Sequence, residues 1–193
     1  MTTKSLTVPV LVGLLVLILV TGSSPLVAGA DDPLTAAAGD SPTARYLGTL
    51  TLGSHGSAWV PQVRGKFALW RPYGWGTATR VTLAGVGDQW VHIQVPAASF
   101  FDESLTTLWS AQFCARSSNG ARTKPIQIDI WNGTSRIYSA PIAWNGDNLD
   151  HCWEVGFTPP LWAETVGISV LLRFANSTDQ ITLEGASASF WYG

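Results

Sequence analysis

Along most of this chain, hydrophobic and polar residues alternate with a period of two, the signature of strands with one buried face. The clearest case runs from Pro125 to Tyr138, where Ile126, Ile128 and Ile130 alternate with Gln127, Asp129 and Trp131. Asn132-Gly133 follows, a strong hairpin signal because a type I′ turn needs positive φ at both central residues. A two-residue turn there sets Trp131 opposite Thr134, Asp129 opposite Arg136, Ile128 opposite Ile137 and Gln127 opposite Tyr138. The isoleucines then share a core face. Trp131, Asp129, Arg136, Gln127 and Tyr138 share the other face.

The same alternation predicts strands on either side. Trp109, Ala111, Phe113 and Ala115 form one face of a strand whose other face carries Cys114. Trp153, Val155 and Phe157 form one face of a strand whose other face carries Cys152. These are the only two cysteines, and both fall on polar faces, so they are expected to pair across neighbouring strands. Tyr46–Leu52, Ala58–Val63, Lys66–Trp70, Thr79–Leu83, Gln89–Val95 and Thr165–Phe174 also look extended. Pro61 marks an edge or a bulge. Ile181–Trp191 closes the chain, with a break or bulge at Gly185. Trp70-Arg-Pro-Tyr-Gly-Trp-Gly76 reads as an aromatic loop, Ala97–Thr107 has room for a helical turn, and Trp144–Asn148 reads as a crossover between sheets. Short strands separated by turn signals, without an amphipathic helix, predict an all-β sandwich of two antiparallel sheets.

Composition adds a compartment. Residues 1–30 carry Lys4, an apolar run from Leu6 to Val20, and the small-x-small sequence Ala28-Gly-Ala30, the layout of a cleaved signal peptide. The alternative is an uncleaved anchor, which would leave the protein membrane-attached and facing outside; the run is short for a full span. Residues 31–44 are small and polar and read as a linker, with the folded domain at 45–193. An exported, secreted chain suits a disulfide. Only 12% of the residues are charged, and removal of the leader leaves ten basic residues against 13 acidic ones. No basic cluster is present, so nucleic acid is not an expected partner.

The stretch from residue 108 to 190 resembles the jelly-roll carbohydrate-binding modules of the galactose-binding-like superfamily. The resemblance rests on Trp109-Ser-Ala-Gln-Phe-Cys-Ala-Arg116, the Ile126–Tyr138 hairpin, Cys152-Trp-Glu-Val-Gly-Phe-Thr-Pro-Pro160, Val166–Phe174 and Ile181-Thr-Leu-Glu-Gly-Ala-Ser-Ala188. It implies a jelly-roll fold and a carbohydrate partner. In that family the acidic residue of the last strand often helps hold a structural calcium; here the position is Glu184 in place of Asp, and Gly185-Ala186 replaces a heavier pair. No other cofactor is expected.

Sugar recognition needs flat aromatic rings for the C–H face of a pyranose, with polar groups beside them to bond hydroxyls. Two sets of candidates meet that need. One is Trp131, Gln127, Asp129 and Tyr138 on the hairpin face. The other is Trp70, Arg71, Tyr73 and Trp75 in the aromatic loop. The competing account of the loop is a plug for one end of the sandwich, and that of Trp131 is a cover over cross-strand neighbours. Glycoside hydrolysis would need two carboxylates about 5–10 Å apart across a cleft. Asp129 and Glu154 lie on polar strand faces, but in no recognised motif, and Asp129 is expected to pair with Arg136. His55, His92 and His151 lack zinc-ligand spacing, and Asp147-Asn-Leu-Asp150 lacks that of an EF-hand loop. The expected function is therefore a non-catalytic carbohydrate-binding module outside the cell. A structural protein of the cell envelope, using the same fold against a protein partner, is the alternative.

Overall fold

In a computed structural model, residues 48–101 and 104–192 are described. The leader, the linker and the expected domain start at residue 45 lie outside them. The described chain forms twelve strands: β1 (Gly48–Ser54), β2 (Val60–Pro61), β3 (Phe67–Tyr73), β4 (Gly76–Val81), β5 (Gly87–Val95), β6 (Phe100–Phe101), β7 (Ser104–Ser117), β8 (Lys124–Asn132), β9 (Ser135–Pro141), β10 (Asp150–Leu161), β11 (Val166–Phe174) and β12 (Ile181–Tyr192). Every ladder is antiparallel. One sheet runs β10-β7-β12-β4-β3, with β1 beside β12 and β6 beside β7; the other runs β2-β5-β11-β8-β9. The chain passes between sheets after β9, where Trp144–Asn148 was expected to cross. The result is an all-β jelly-roll sandwich.

Period-two alternation fills the space between the sheets. Val166, Ile168, Val170, Leu172 and Phe174 of β11 are all buried, and so are Val91, Ile93 and Val95 of β5 and Ile128 and Ile130 of β8. On the inner face of the larger sheet, the neighbouring strands β7 and β12 set large residues beside small ones: Phe113 stands opposite Ala186, and Leu183 opposite Ala115. That complementarity lets well-packed layers interdigitate without voids. Trp59 is buried edge-on to Phe113, and its indole N–H donates to the Glu184 carbonyl at 2.7 Å. Cys114 and Cys152 face each other in the β7–β10 ladder and form the expected disulfide. The register of β12 against β7 shifts between Leu183 and Ala186, so the irregularity expected at Gly185 is present. Pro61 lies in β2, an edge strand.

Three local expectations are corrected. Trp109 does not join the inward face of Ala111 and Phe113. Ser189 pairs with Ser110 and Phe190 with Leu108, so Trp109 is the extra residue of a β-bulge. Leu108 goes in and Trp109 goes out, stacked on Trp191 at 5.3 Å. The interval Ala97–Thr107 holds no helical turn among the described residues; Phe100–Phe101 instead pairs with the start of β7. The aromatic loop is the tip of a tight hairpin, because β3 continues through Tyr73, which pairs with Gly76. Pro72 is tolerated there because β3 is an edge strand.

Candidate functional site

The outer face of the five-stranded sheet is built by three adjacent strands. β11 lies between β5 and β8, so side chains pointing outward from the three form cross-strand rows. One row is Gln94, Gly167 and Trp131. The next is His92, Ser169 and Asp129, and the third is Trp90, Leu171 and Gln127. Gly167 contributes no side chain, so the first row has a low middle with Trp131 on one flank and Gln94 on the other. A groove of about 570 Å³ runs here, bordered by Trp131, His92, Gln94, Thr165 and Val60. A smaller hollow of about 240 Å³ continues past Trp131 and His92 to Trp90, Asp129 and Arg136.

The polar groups on this face are fixed by each other. Asp129 is buried and accepts from Gln127 Nε2 at 2.9 Å, Ser139 Oγ at 2.7 Å and Arg136 Nη1 at 3.3 Å. The predicted Asp129–Arg136 ion pair is therefore present. His92 Nδ1 shares a hydrogen bond of 2.8 Å with Ser169 Oγ. Burial of the His92 ring lowers its pKa, so it faces the groove as a neutral imidazole at neutral pH. Trp131 is half-buried, and its indole N–H is enclosed without a hydrogen-bond partner, a costly state for a donor.

The hairpin that carries Trp131 has a different register from the one expected. Asn132 pairs with Ser135, so Gly133 and Thr134 form the turn, with Gly133 at φ +57°. The cause is the Asn132 side chain. Its Oδ1 accepts from the Glu164 and Thr165 backbone N–H groups, and its Nδ2 donates to the Trp162 carbonyl. Asn132 is thereby held in the strand and clamps the hairpin to the β10–β11 connection. A bulge then leaves Ile137 unpaired, with Arg136 opposite Trp131 and Tyr138 opposite Ile130. Tyr138 consequently turns to the core side, edge-on to Phe157 at 6.0 Å. Of the four hairpin candidates, Trp131, Gln127 and Asp129 come together, and Tyr138 does not.

The other four candidates belong to β3 and its turn, in the seven-stranded sheet. Trp70 packs toward the core, edge-on to Phe67 at 5.0 Å. Tyr73 and Trp75 stack at 4.8 Å with their planes 4° apart, and the Arg71 guanidinium lies 5.5 Å from the Tyr73 ring. This set is a self-contained ladder at a hairpin tip. Trp70 plugs, Trp75 is exposed, and none of the four joins the groove. His92, Gln94, Gly167, Ser169 and Trp90 were not among the expected site residues.

Among the described residues, carboxylates elsewhere do not assemble a second centre. Glu154 lies on β10 of the opposite sheet, so it and Asp129 do not flank one cleft. Glu184, at the position where the resemblance allows a calcium, has its carboxyl pushed up by burial and by the neighbouring Asp150, whose own partner is Arg116 at 3.5 Å. Among the described residues no group of three or more His, Cys, Asp or Glu stands close enough to hold a metal ion. Nor is any described helix long and apolar enough to cross a membrane.

No family model and no curated protein matches this chain. Solved structures similar to it include the CBM36-1 domain of a multidomain xylanase from the hindgut metagenome of Trinervitermes trinervoides, at 8% identity and a TM-score of 0.41, covering 73% of this chain and 96% of that one. A xylan-binding module, CBM86 from Roseburia intestinalis, is similar at 10% identity and a TM-score of 0.42, over 75% of this chain and 96% of that one. TmCBM61, solved in complex with β-1,4-galactotriose, is similar at 10% identity and a TM-score of 0.41, over 72% and 86%.

Proposed function

We propose that this domain binds carbohydrate along the groove on the outer face of its five-stranded sheet, outside the cell and without catalysing a reaction. The observation that carries the reading is the row Gln94–Gly167–Trp131: an indole flank, an open floor and an amide flank, with His92 and Ser169 in the row beside it. An apolar wall with a few convergent polar groups is the usual form of a small-ligand site. A pyranose presents the complementary surface, a C–H face for the ring and hydroxyls for amide, imidazole and hydroxyl partners. The same groups serve as donors and acceptors, and none needs to change protonation. Asp129 already accepts three hydrogen bonds, a state suited to orienting Gln127 and Arg136 and unsuited to attacking a glycosidic carbon. In this reading residues 1–30 direct export and are removed after Ala30, residues 31–44 are a linker, and residues 45–193 are the working domain.

The test is intrinsic Trp fluorescence of the domain, titrated with a panel of soluble polysaccharides. A saturable shift with one glycan, absent in Trp131→Ala, is the expected result. Silence across the panel from a folded protein would overturn the reading. A shift retained in Trp131→Ala but lost in Trp75→Ala would move the site to the β3–β4 tip.

A further inference from the structure

A second surface, on the other sheet, has a different chemistry. Trp109 and Trp191 stack on the outside of β7 and β12. Phe100 and Leu105, partners in the β6–β7 ladder, are 61% and 70% exposed. Phe101 pairs with Ser104 and so turns to the other face, beside Tyr192, with 4.9 Å between ring centroids. Trp109, Trp191, Phe100 and Leu105 thus share the outer face where β6 and β7 meet the end of β12. These four, each about half exposed, give on the order of 400 Å² at roughly 200 Å² per large side chain. A patch of that size matches the largest that a typical monomer shows, which is often functional.

The chemistry narrows the occupant. A sugar site needs open ring faces and free hydroxyl partners. Here the two indoles are stacked against each other, and the hydroxyls of Thr51 and Ser189 are bonded to each other at 2.9 Å. A stable copy-to-copy interface needs about 800 Å² from each partner, more than this patch offers. The composition, Trp, Phe and Leu together, is that of groups that settle at a membrane–water interface. The direction of the chain agrees. Gly48, where the described chain begins, pairs with Tyr192, and the sequence ahead of it contains the apolar run Leu6–Val20. An export segment, kept or removed, delivers the domain at a bilayer.

We infer that this aromatic end of the seven-stranded sheet docks on a lipid surface. The inference rests on reading residues 1–30 as an export segment and is independent of the sugar groove.

All ten Trp lie at or beyond Trp59, so Trp emission reports on the domain and not on the apolar run. The test uses the full chain with vesicles of brominated phosphatidylcholine, which quench Trp that reaches the acyl boundary. Emission is expected to be quenched, to remain so in Trp131→Ala, and to escape quenching in Phe100→Glu/Leu105→Glu, which keeps every Trp. Phe100→Ser/Leu105→Ser repeats the test without added charge, and near-UV circular dichroism checks the fold of each variant. Absence of quenching in the unaltered chain, or quenching in both double variants as strong as in the unaltered chain, would overturn the inference. Concentration-dependent dimers without quenching would overturn it in favour of self-association.

Discussion

Trp131 stands directly opposite Gly167 in the ladder between β8 and β11, and a Cβ built on Gly167 would lie 3.4 Å from the Cβ of Trp131. The glycine is not in a left-handed conformation, so its role is space. Valine at this position suits a central strand but would fill the floor of the groove. Gly167→Val also presses on Trp131, whose Cγ and Cδ1 lie 3.9 and 4.0 Å from that Cβ, and is expected to fold and to bind glycan about tenfold more weakly, roughly 1.4 kcal/mol. Calorimetric titration beside a thermal melt checks both halves. Unchanged affinity would place the ligand elsewhere.

A different glycine is needed for packing. A Cβ on Gly120 would lie 1.7 Å from the Asp147 carbonyl oxygen and 2.5 Å from Trp144 Nε1. Those two atoms already share a hydrogen bond of 3.0 Å, and the Gly120 N–H donates to Asn148. Backbone must therefore move. Gly120→Ala is expected to cost about 3 kcal/mol or more, measured as a drop in the urea midpoint.

The disulfide closes a loop with a sequence separation of 38 residues. Chain entropy gives a bond of that span roughly 4 kcal/mol. Replacing both cysteines by Ala should lower unfolding stability by about 2–5 kcal/mol and should leave glycan affinity unchanged, because the bond lies on the sheet opposite the groove. Paired denaturant and binding titrations test this.

Stability should respond to pH through two carboxylates of opposite sign. Burial, with Asp150 nearby, raises the Glu184 pKa above its ordinary 4.5. The folded state then holds that proton more tightly than the unfolded one, so Glu184 lowers stability as pH rises from about 4.5 through its raised value. The hydrogen bond from Arg173 lowers the Asp88 pKa below 3.8. Asp88 therefore supports the fold above its unfolded value, and that support is lost as pH falls through its lowered value. Thermal melts of Glu184→Gln from pH 4 to 8 should show a flatter decline, with higher stability at neutral pH than the parent. A steeper decline would refute the assignment.

The strands were legible because burial imposes period two on them. Val166 to Phe174 and Val91 to Val95 announced their inward faces, and the same alternation turned His92, Gln94 and Ser169 outward. Their meeting was not legible, since nothing local states that β11 runs between β5 and β8. Cross-strand neighbours are fixed by the packing of whole sheets. Bulges hid the rest. One extra residue at Trp109 reversed its side, and one at Ile137 carried Tyr138 inward. In both cases a demand from far along the chain decided the phase: Leu108 against Phe190 in the first, and the grip of Asn132 on the β10–β11 connection in the second.

β1 pairs with β12 from Gly48 opposite Tyr192 to Ser54 opposite Ala186. The two ends of the described chain thus leave side by side from neighbouring antiparallel strands. Tension applied between them would part this ladder one pair at a time from Gly48 inward, so resistance to pulling would be that of a zipper and not of strands sheared in parallel. A cargo joined to the C-terminus and hauled against an N-terminal tether would strip β1 at low force. A load borne by the groove would reach any such tether by another route, through the sandwich and along β1.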